Sequence, residues 1–249
     1  MRVLGLPDGV RACLFDLDGV LTRTAEVHAA AWKETFDQFL QAWAPAHHES
    51  FVPFEIATDY TEYVDGKTRT DGIKSFLASR RITLPDGQAD DPASAETVAG
   101  LARRKNDLLL QRIKQHGVRA YEGSRRYVEA VSAANLPRAV VSSSQNTAAV
   151  LEAAGLADFF PIRVDGNTVA HDGLRGKPAP DTYLAGARAL HVEPAAAAVY
   201  EDALAGVAAG HAGHFGYVVG VDREHQADAL REHGADVVVE DLAELLDDR

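Results

Sequence analysis

The sequence predicts an α/β fold, a doubly wound parallel sheet with a separate helical domain inserted into it. The first observation is a short apolar run at residues 12–15, which is typical of a strand buried on both faces. The second is an alternation of strand and helix patterns from residue 119 onward, which predicts parallel strands joined by right-handed crossovers. The third is residues 24–118, where helical patterns follow one another without a strand pattern.

The same order of elements predicts the domain boundaries. The run at residues 12–15 belongs to the same sheet as the later strands, so the core is discontinuous and comprises residues 1–23 and 119–249, with 24–118 as an all-helical cap. In the cap, the patterns predict helices after Thr22, at 69–80 and at 93–115, with polar connections at 44–53 and 85–92. In the core, they predict strands at 138–142, 159–164, 197–200, 217–221 and 236–239, and helices at 124–134, 146–154, from Pro180, at 203–209 and after the last strand.

Composition excludes several other classes of protein. The single cysteine, Cys13, rules out a disulfide framework and fits a reducing cytosol, so we expect a cytoplasmic protein. No apolar run reaches the roughly 20 residues of a membrane span, and the first residues lack the apolar stretch of a signal peptide. With 25 basic against 37 acidic residues, the net charge is −12, which argues against nucleic acid as a partner. A small phosphorylated metabolite is compatible with this charge where a few cationic side chains or a divalent cation gather locally.

Two carboxylates stand at the end of the first predicted strand, in the segment DLDGVLT at residues 16–22. Asp16 and Asp18 follow the apolar run, and Gly19 lets the backbone turn away. Ligands of open α/β sheets bind at this carboxyl edge, near the point where strand order reverses. Taken alone, the Asp-x-Asp pair is as typical of a capped turn as of a catalytic site.

Three further segments bring polar side chains to the ends of the core strands. VVSSSQN contains Ser142 to Asn146, KPAPD contains Lys177, and AVYEDA contains Glu201 and Asp202. Alone, Lys177 reads as a surface charge, and the acid pair reads as a helix N-terminus. A carboxylate can attack the phosphorus of an anionic phosphoryl group, however, if Mg²⁺ and a fixed lysine neutralise the negative charge that would repel it. Agreement among the four segments therefore favours a shared phosphoryl-transfer site.

These four segments resemble the four motifs of the haloacid dehalogenase (HAD) superfamily, and the resemblance runs along the whole chain. It implies that Asp16 is the nucleophile, that Asp18 is the general acid and base, that Ser142 donates to a phosphoryl oxygen, and that Lys177 neutralises charge. It also implies Mg²⁺ as cofactor. The implied metal ligands are Asp16, the backbone carbonyl of Asp18, Asp202, and Glu201 either directly or through another ligand.

Within that superfamily, the predicted cap resembles that of the β-phosphoglucomutases. The segments that carry the resemblance are TAEVHAAAWK at residues 24–33, Gly66-x-x-Arg69 and RRKND at residues 103–107. The resemblance implies that His28 lies over the nucleophile and helps to activate a sugar hydroxyl. It further implies substrate-binding positions at Gly66, Arg69, Lys105, Ser144 and Asn146, with Trp32 as a candidate sugar platform. YVDGKTRTDG is similar to mutase-like proteins of actinobacterial type.

Each cap assignment has a structural alternative, and three positions depart from the family pattern. His28, Arg69 and Lys105 fit packed or solvated helix residues, and an aromatic such as Trp32 at helical spacing more often packs in a core. Position 23 is Arg where the family commonly has Asp, and Gln145 and Asp65 replace lysines. Residues 40–60 and 84–96 are not explained by the resemblance.

Three functions follow as hypotheses. The first is a β-phosphoglucomutase that interconverts β-glucose 1-phosphate and glucose 6-phosphate through an aspartyl-phosphate and β-glucose 1,6-bisphosphate. The second is a Mg²⁺-dependent sugar-phosphate phosphatase, which Gln145 and Arg23 favour because they change the charge at the phosphate site and the hinge. The third is a non-catalytic sugar-phosphate sensor. In each case we expect a monomer that binds a small phosphorylated sugar and neither nucleic acid nor membrane.

Overall fold

The computed structural model describes residues 4–246, which divide into two compact units. The helical unit is Thr24–Gly117, and the sheet unit comprises the described residues on either side of it. Each unit has an apolar core of its own. Among the described residues, no helix combines the length and the apolar character that crossing a bilayer requires.

The sheet unit contains six parallel strands in the order β3-β2-β1-β4-β5-β6, which confirms the α/β prediction. The chain fills one half of the sheet outward from β1 and then starts the other half at β4, so strand order reverses between β1 and β4. Both of these strands are buried along their whole length, as a parallel sheet covered on both faces requires. The strands are β1 (Ala12–Phe15), β2 (Arg138–Val141), β3 (Ile162–Val164), β4 (Ala197–Glu201), β5 (Tyr217–Val221) and β6 (Val237–Val239).

Helices connect the strands of the sheet unit, and three details differ from the sequence prediction. Two short helices, Gly166–Asp172 and Ala227–Glu232, were not predicted from the sequence. Phe159 lies in a 3₁₀ turn rather than in β3, and a 3₁₀ turn, Leu242–Leu245, replaces the predicted last helix. The helices are α4 (Glu122–Ala133), α5 (Thr147–Ala153), α6 (Gly166–Asp172), α7 (Asp181–Ala189), α8 (Leu204–Ala212) and α9 (Ala227–Glu232).

The helical unit consists of α1 (Ala25–Ala46), a π-helix (Ile56–Val64), α2 (Arg69–Ser79) and α3 (Val98–His116). The predicted connection at 44–53 was wrong at its start, because α1 runs through Pro45 in its last turn. Residues 93–97 also lie outside α3, because Thr97 caps that helix by accepting a hydrogen bond from the Gly100 amide at 3.0 Å. The first five residues of the π-helix, 56–60, lie in the region that the family resemblance did not explain.

Aromatic rings form the centre of the helical unit. Trp32 stacks on Phe36 with 5.2 Å between ring centroids, and Phe36 packs on Phe76 at 4.2 Å. Phe54, which precedes the π-helix, joins the same cluster at 5.0 Å from Phe76. This core places α1, α2 and α3 against one another and fixes the polar side chains that they carry.

Candidate active site

The candidate site lies at the carboxyl ends of β1 and β4, where strand order reverses. Phe15 of β1 pairs with Tyr200 of β4. Asp16 and Glu201, which follow these two residues in the chain, are therefore neighbours across the sheet edge. The Asp16 amide also donates to the Tyr200 carbonyl at 3.0 Å. Carboxylate oxygens of Asp16, Glu201 and Asp202 lie within 4.8 Å of one another, and all three residues are buried.

Lys177 brings a positive charge into this carboxylate group. Its Nζ donates to Asp16 Oδ1 at 2.6 Å, to the Val141 carbonyl at 3.3 Å, and to Glu201 Oε1. An ammonium has three hydrogens, so these three acceptors use all of them. Lys177 is 2% exposed, and the sequence-based alternative of a solvated surface lysine is therefore wrong.

Glu201 is held from three directions and is fully buried. Its Oε1 accepts from the Tyr183 hydroxyl at 2.9 Å in addition to Lys177, and its Oε2 accepts from the Ala203 amide at 3.1 Å. A side chain at Gly206 would overlap the Glu201 carboxylate, which gives that glycine a steric reason. Glu201 thus works as an internal hydrogen-bond acceptor as well as a member of the carboxylate group.

Burial and neighbouring charge shift the pKa values of the buried pair. Burial raises the pKa of Asp16 well above its usual range, Lys177 opposes this shift, and the charges of Glu201 and Asp18 add to it. Burial also disfavours the Lys177 ammonium, but Asp16 and Glu201 outweigh that effect and raise the pKa of Lys177. Lys177 therefore stays cationic, and one cation faces three clustered carboxyl groups. Such a site favours binding of a further cation.

The loop after β2 is organised by its own serines. The Ser142 amide donates to the Val164 carbonyl at 2.9 Å, and Ser142 Oγ accepts from the Ser144 amide at 3.1 Å. Ser144 Oγ in turn accepts from the Asn146 amide at 3.1 Å, directly before α5. Ser142 follows Val141, whose carbonyl binds Lys177, so this loop adjoins the carboxylate group.

The turn after β1 holds Asp18, which is partly exposed. Gly19 has a φ of +88°, which glycine adopts readily, and its amide donates to the Thr22 carbonyl at 2.8 Å. The Gly19 carbonyl accepts from Arg223 Nε at 2.8 Å. The Asp18 side chain is not one of the three clustered carboxylates; its predicted metal contact is through the backbone carbonyl and stays a prediction.

In the helical unit, two predicted substrate residues contact each other. Lys105 Nζ on α3 lies 3.0 Å from His28 Nδ1 on α1 and 4.8 Å from the centroid of the Trp32 ring. A cationic lysine can only donate, so His28 Nδ1 is the acceptor and the neutral ring carries its hydrogen on Nε2. Lys105 is 3% exposed, so the solvated-helix alternative is wrong for this residue.

Arg69 and Gly66 lie close together on the approach to α2. Arg69 begins that helix and donates from Nη2 to Asn106 Oδ1 on α3 at 2.8 Å, while Gly66 has a φ of +71°. Burial lowers the pKa of Arg69, and Asp107 opposes the shift. Trp32, by contrast, is 4% exposed inside the aromatic cluster, which favours packing over a sugar platform.

Two residues near the site were not predicted from the sequence. Tyr183 is the second residue after KPAPD and binds Glu201, and a tyrosine among the small buried residues Gly186 and Ala187 of α7 is a signal that could have identified it. Arg223 binds the Gly19 carbonyl and stacks on Tyr121 at 3.7 Å from the ring centroid. Its position two residues after the end of β5 is the corresponding signal. Arg23 also stacks on Tyr121, at 4.7 Å.

Comparisons with known proteins agree with this arrangement. Residues 10–214 match a family described as haloacid dehalogenase-like hydrolase. Proteins named β-phosphoglucomutase from Mycobacterium bovis and Mycobacterium tuberculosis are 59% identical over 248 residues, covering 98% of this chain and 95% of theirs. One of the same name from Bacillus subtilis is 31% identical, covering 95% and 92%. A crystal structure of β-phosphoglucomutase from Clostridium difficile matches in fold alone, with TM-score 0.74, 24% identity, and coverage of 95% and 93%.

Proposed function

We propose that this chain, which belongs to the haloacid dehalogenase-like hydrolases and to the β-phosphoglucomutase family among them, interconverts β-glucose 1-phosphate and glucose 6-phosphate. The observation that carries the proposal is the buried contact of Lys177 with Asp16, at 2.6 Å and beside Asp202. A carboxylate at the switch point of the sheet, paired with a cation that cannot leave, is suited to receive a phosphoryl group.

The clustered carboxylates fit a Mg²⁺ ion. Hard oxygen ligands suit this ion, and three carboxylate groups lie within 4.8 Å of one another. Because both oxygens of Glu201 already accept hydrogen bonds, we assign direct ligation to Asp16, Asp202 and the backbone carbonyl of Asp18. When bound, Mg²⁺ supplies charge neutralisation for the transferring phosphoryl group.

The proposed reaction has two phosphoryl transfers through one aspartyl-phosphate. A carboxylate oxygen of Asp16 attacks phosphorus, the phosphorus–oxygen bond to the sugar breaks, and Asp18 gives a proton to the sugar oxygen that leaves. In the second transfer, Asp18 takes the proton from the sugar hydroxyl that attacks the aspartyl-phosphate. β-Glucose 1,6-bisphosphate gives up its 1-phosphoryl group in the first transfer, which leaves glucose 6-phosphate, and it is formed again in the second transfer, when β-glucose 1-phosphate accepts the phosphoryl group. Ser142 donates to a phosphoryl oxygen, and Lys177 neutralises charge on the same group.

The remaining predicted residues serve the sugar phosphate in this proposal. His28 assists the reacting hydroxyl, and its contact with Lys105 sets the ring tautomer for that role. Arg69 presents a guanidinium, which can bind a phosphate with two parallel hydrogen bonds. The other residues assigned to the non-reacting phosphate or the cavity are Gly66 and Lys105 in the helical unit and Ser144 and Asn146 in the sheet unit.

A product assay tests the proposal. The protein is incubated with β-glucose 1-phosphate, Mg²⁺ and a trace of β-glucose 1,6-bisphosphate, and glucose 6-phosphate is measured with a coupled dehydrogenase. We expect glucose 6-phosphate to form rapidly only when the bisphosphate is present. Release of free glucose and inorganic phosphate at a comparable rate would contradict the mutase proposal.

A sugar-phosphate phosphatase is the second candidate. Gln145, which is exposed beside the Ser144 and Asn146 loop, favours it because a neutral amide stands where the family usually has a phosphate-binding lysine. A phosphatase would hydrolyse several phosphate monoesters without a bisphosphate primer. A panel of sugar phosphates, assayed for inorganic phosphate with and without primer, separates the two functions. Gln145→Lys provides a matched variant, which we expect to lower the KM for the bisphosphate.

A further inference from the structure

We propose that Tyr183 is a positioning residue for the phosphoryl transfer, acting through Glu201 to hold Lys177 against Asp16. The inference rests on the proposed chemistry at Asp16, but it does not depend on which sugar is used or on whether a sugar hydroxyl or water accepts the phosphoryl group.

The Tyr183 hydroxyl lies inside the carboxylate group rather than beside it. It donates to Glu201 Oε1 at 2.9 Å, the same oxygen that accepts from Lys177. Tyr183 and Glu201 are both fully buried, so no water can substitute for this hydrogen bond without a rearrangement. Burial first, and then the charges of Glu201 and Asp16, raise the pKa of Tyr183, so the hydroxyl keeps its hydrogen and remains a donor.

The ring of Tyr183 supports the same ammonium from another side. Lys177 Nζ lies 4.9 Å from the ring centroid, within the range of a cation–π contact. The ring itself packs edge-on against Phe215 at 5.9 Å, in the apolar core beneath the sheet edge. One side chain thus touches both Glu201 and Lys177 from a fixed place on α7.

The need for positioning follows from the hydrogen-bond count at Lys177. Its three hydrogens are directed to Asp16, Glu201 and the Val141 carbonyl. Of these acceptors, Val141 is fixed by the sheet and Asp16 must change partners when it is phosphorylated, whereas Glu201 is a flexible side chain. Apart from Lys177 itself, Glu201 is held by the Ala203 amide, two residues along the chain, and by the Tyr183 hydroxyl, which comes from α7. Loss of that contact frees Glu201 to shift, and Lys177 shifts with it.

The test compares Tyr183→Phe with Tyr127→Phe. Tyr127 is a matched control, because it is equally buried in the same unit and its hydroxyl binds the Leu4 carbonyl at 2.9 Å and the Tyr200 hydroxyl at 2.8 Å, neither of which accepts a hydrogen bond from Lys177. We expect Tyr183→Phe to lower kcat about 10- to 100-fold with KM for the phosphate ester changed less than about twofold, since the reacting groups are displaced and the sugar is not. Tyr127→Phe should lower the melting temperature but keep kcat.

A second variant series shows whether Tyr183 acts through Glu201. The fall in kcat caused by Tyr183→Phe should shrink at least threefold in a Glu201→Gln background, because a shared path makes the two effects non-additive. Equal effects in both backgrounds, or a Tyr183→Phe kcat within twofold of wild type, would overturn the inference. Tyr183→Leu, which also removes the ring, should lower kcat further than Tyr183→Phe.

The readout is chosen so that two failures can be told apart. Each variant is assayed for Mg²⁺-dependent consumption of acetyl phosphate, an acyl phosphate that needs no sugar, as well as for glucose 6-phosphate formation. If wild type consumes acetyl phosphate and forms no glucose 6-phosphate, the mutase proposal fails, and the acetyl phosphate rates alone decide the role of Tyr183. If wild type reacts with neither in an Asp16-dependent way, both proposals are overturned.

Discussion

The predicted site residues of the two units differ in the charge that they bury. At the edge of the sheet, Asp16, Glu201 and Asp202 cluster around the single ammonium of Lys177. In the helical unit, the buried cation Lys105 contacts a histidine and the face of a tryptophan. Buried charge is unfavourable unless it is compensated, so each arrangement favours a ligand of the opposite sign.

This difference assigns separate tasks to the units. The clustered carboxylates at the sheet edge suit a metal cation and the proposed covalent chemistry, and the buried Lys105 of the helical unit suits an anionic substrate. Changes at the sheet edge should therefore alter kcat, and changes to the cations of the helical unit should alter KM. A net charge of −12 is compatible with a phosphorylated substrate because the cations that bind it are local.

The largest effect is expected at Asp16. Asp16→Asn keeps the size of the side chain but removes the nucleophilic carboxylate, so turnover should fall more than about 10⁴-fold. Glucose 6-phosphate formation measures it, and the exposed Asp158→Asn in the same unit is the control. Comparable turnover by wild type and Asp16→Asn would show that Asp16 is not the nucleophile.

His28 is the exception to the expectation that residues of the helical unit affect KM alone. It lies in the helical unit, yet the proposed role is in acid–base catalysis, so His28→Ala should lower kcat about 10²- to 10⁴-fold and not only raise KM. His47→Ala is the control, because His47 is an exposed histidine stacked on Trp43 in the same unit. An effect of His28→Ala on KM alone would restrict the helical unit to binding.

Arg69 tests whether a cation of the helical unit binds the substrate phosphate. Arg69→Lys keeps the charge but loses the two-pronged guanidinium, so we expect KM for β-glucose 1-phosphate to rise about tenfold with kcat nearly unchanged. Arg112→Lys is a matched control, since Arg112 pairs with Glu34 at 2.8 Å in the same unit. An unchanged KM in Arg69→Lys would place phosphate binding elsewhere.

The smallest effect concerns Cys13, which reports on the sheet unit alone. Burial raises the pKa of its thiol from 9.0 to about 12. Between these values the unfolded chain ionises and the folded chain does not, so stability is lost as pH rises, by about 1 kcal/mol for each pH unit above 9. Urea unfolding of wild type and Cys13→Ala across this range measures the difference. Equal pH slopes in the two proteins would show that the thiol is not buried in solution.

The sheet unit was more predictable from sequence than the helical unit. Continuous apolar runs such as residues 12–15 and 197–200 are typical of strands covered on both faces, so the strands and the reversal of strand order could be predicted. Short helices such as Gly166–Asp172 could not, because a capping pair at Asp165 and Thr168 defines that helix rather than periodicity. The π-helix Ile56–Val64 has no sequence signal of its own.

The site residues of the sheet unit were likewise more predictable than those of the helical unit. Clustering of Asp16, Lys177 and Glu201 could be expected from strand ends that share one edge of a sheet. The contact of Lys105 with His28 spans 77 positions and depends on how two helices pack, which no local pattern specifies. Tyr183 was missed for a different reason, because its function depends on one hydroxyl within an otherwise ordinary core residue.

Hydrogen bonds at the two ends of the inserted helical unit bear on how such a chain can evolve. The Arg23 amide donates to the Arg119 carbonyl at 2.8 Å, and the Tyr121 amide donates to the Leu21 carbonyl at 3.0 Å. The two ends of the insertion therefore leave the sheet unit side by side. To the sheet, residues 24–117 are therefore a closed loop, and closing a loop of that length costs only about 2 kcal/mol more than closing one of about ten residues. Insertions at this place can be lengthened, shortened or exchanged with little penalty to the sheet, which leaves substrate choice free to diversify while Asp16, the proposed nucleophile, stays where it is.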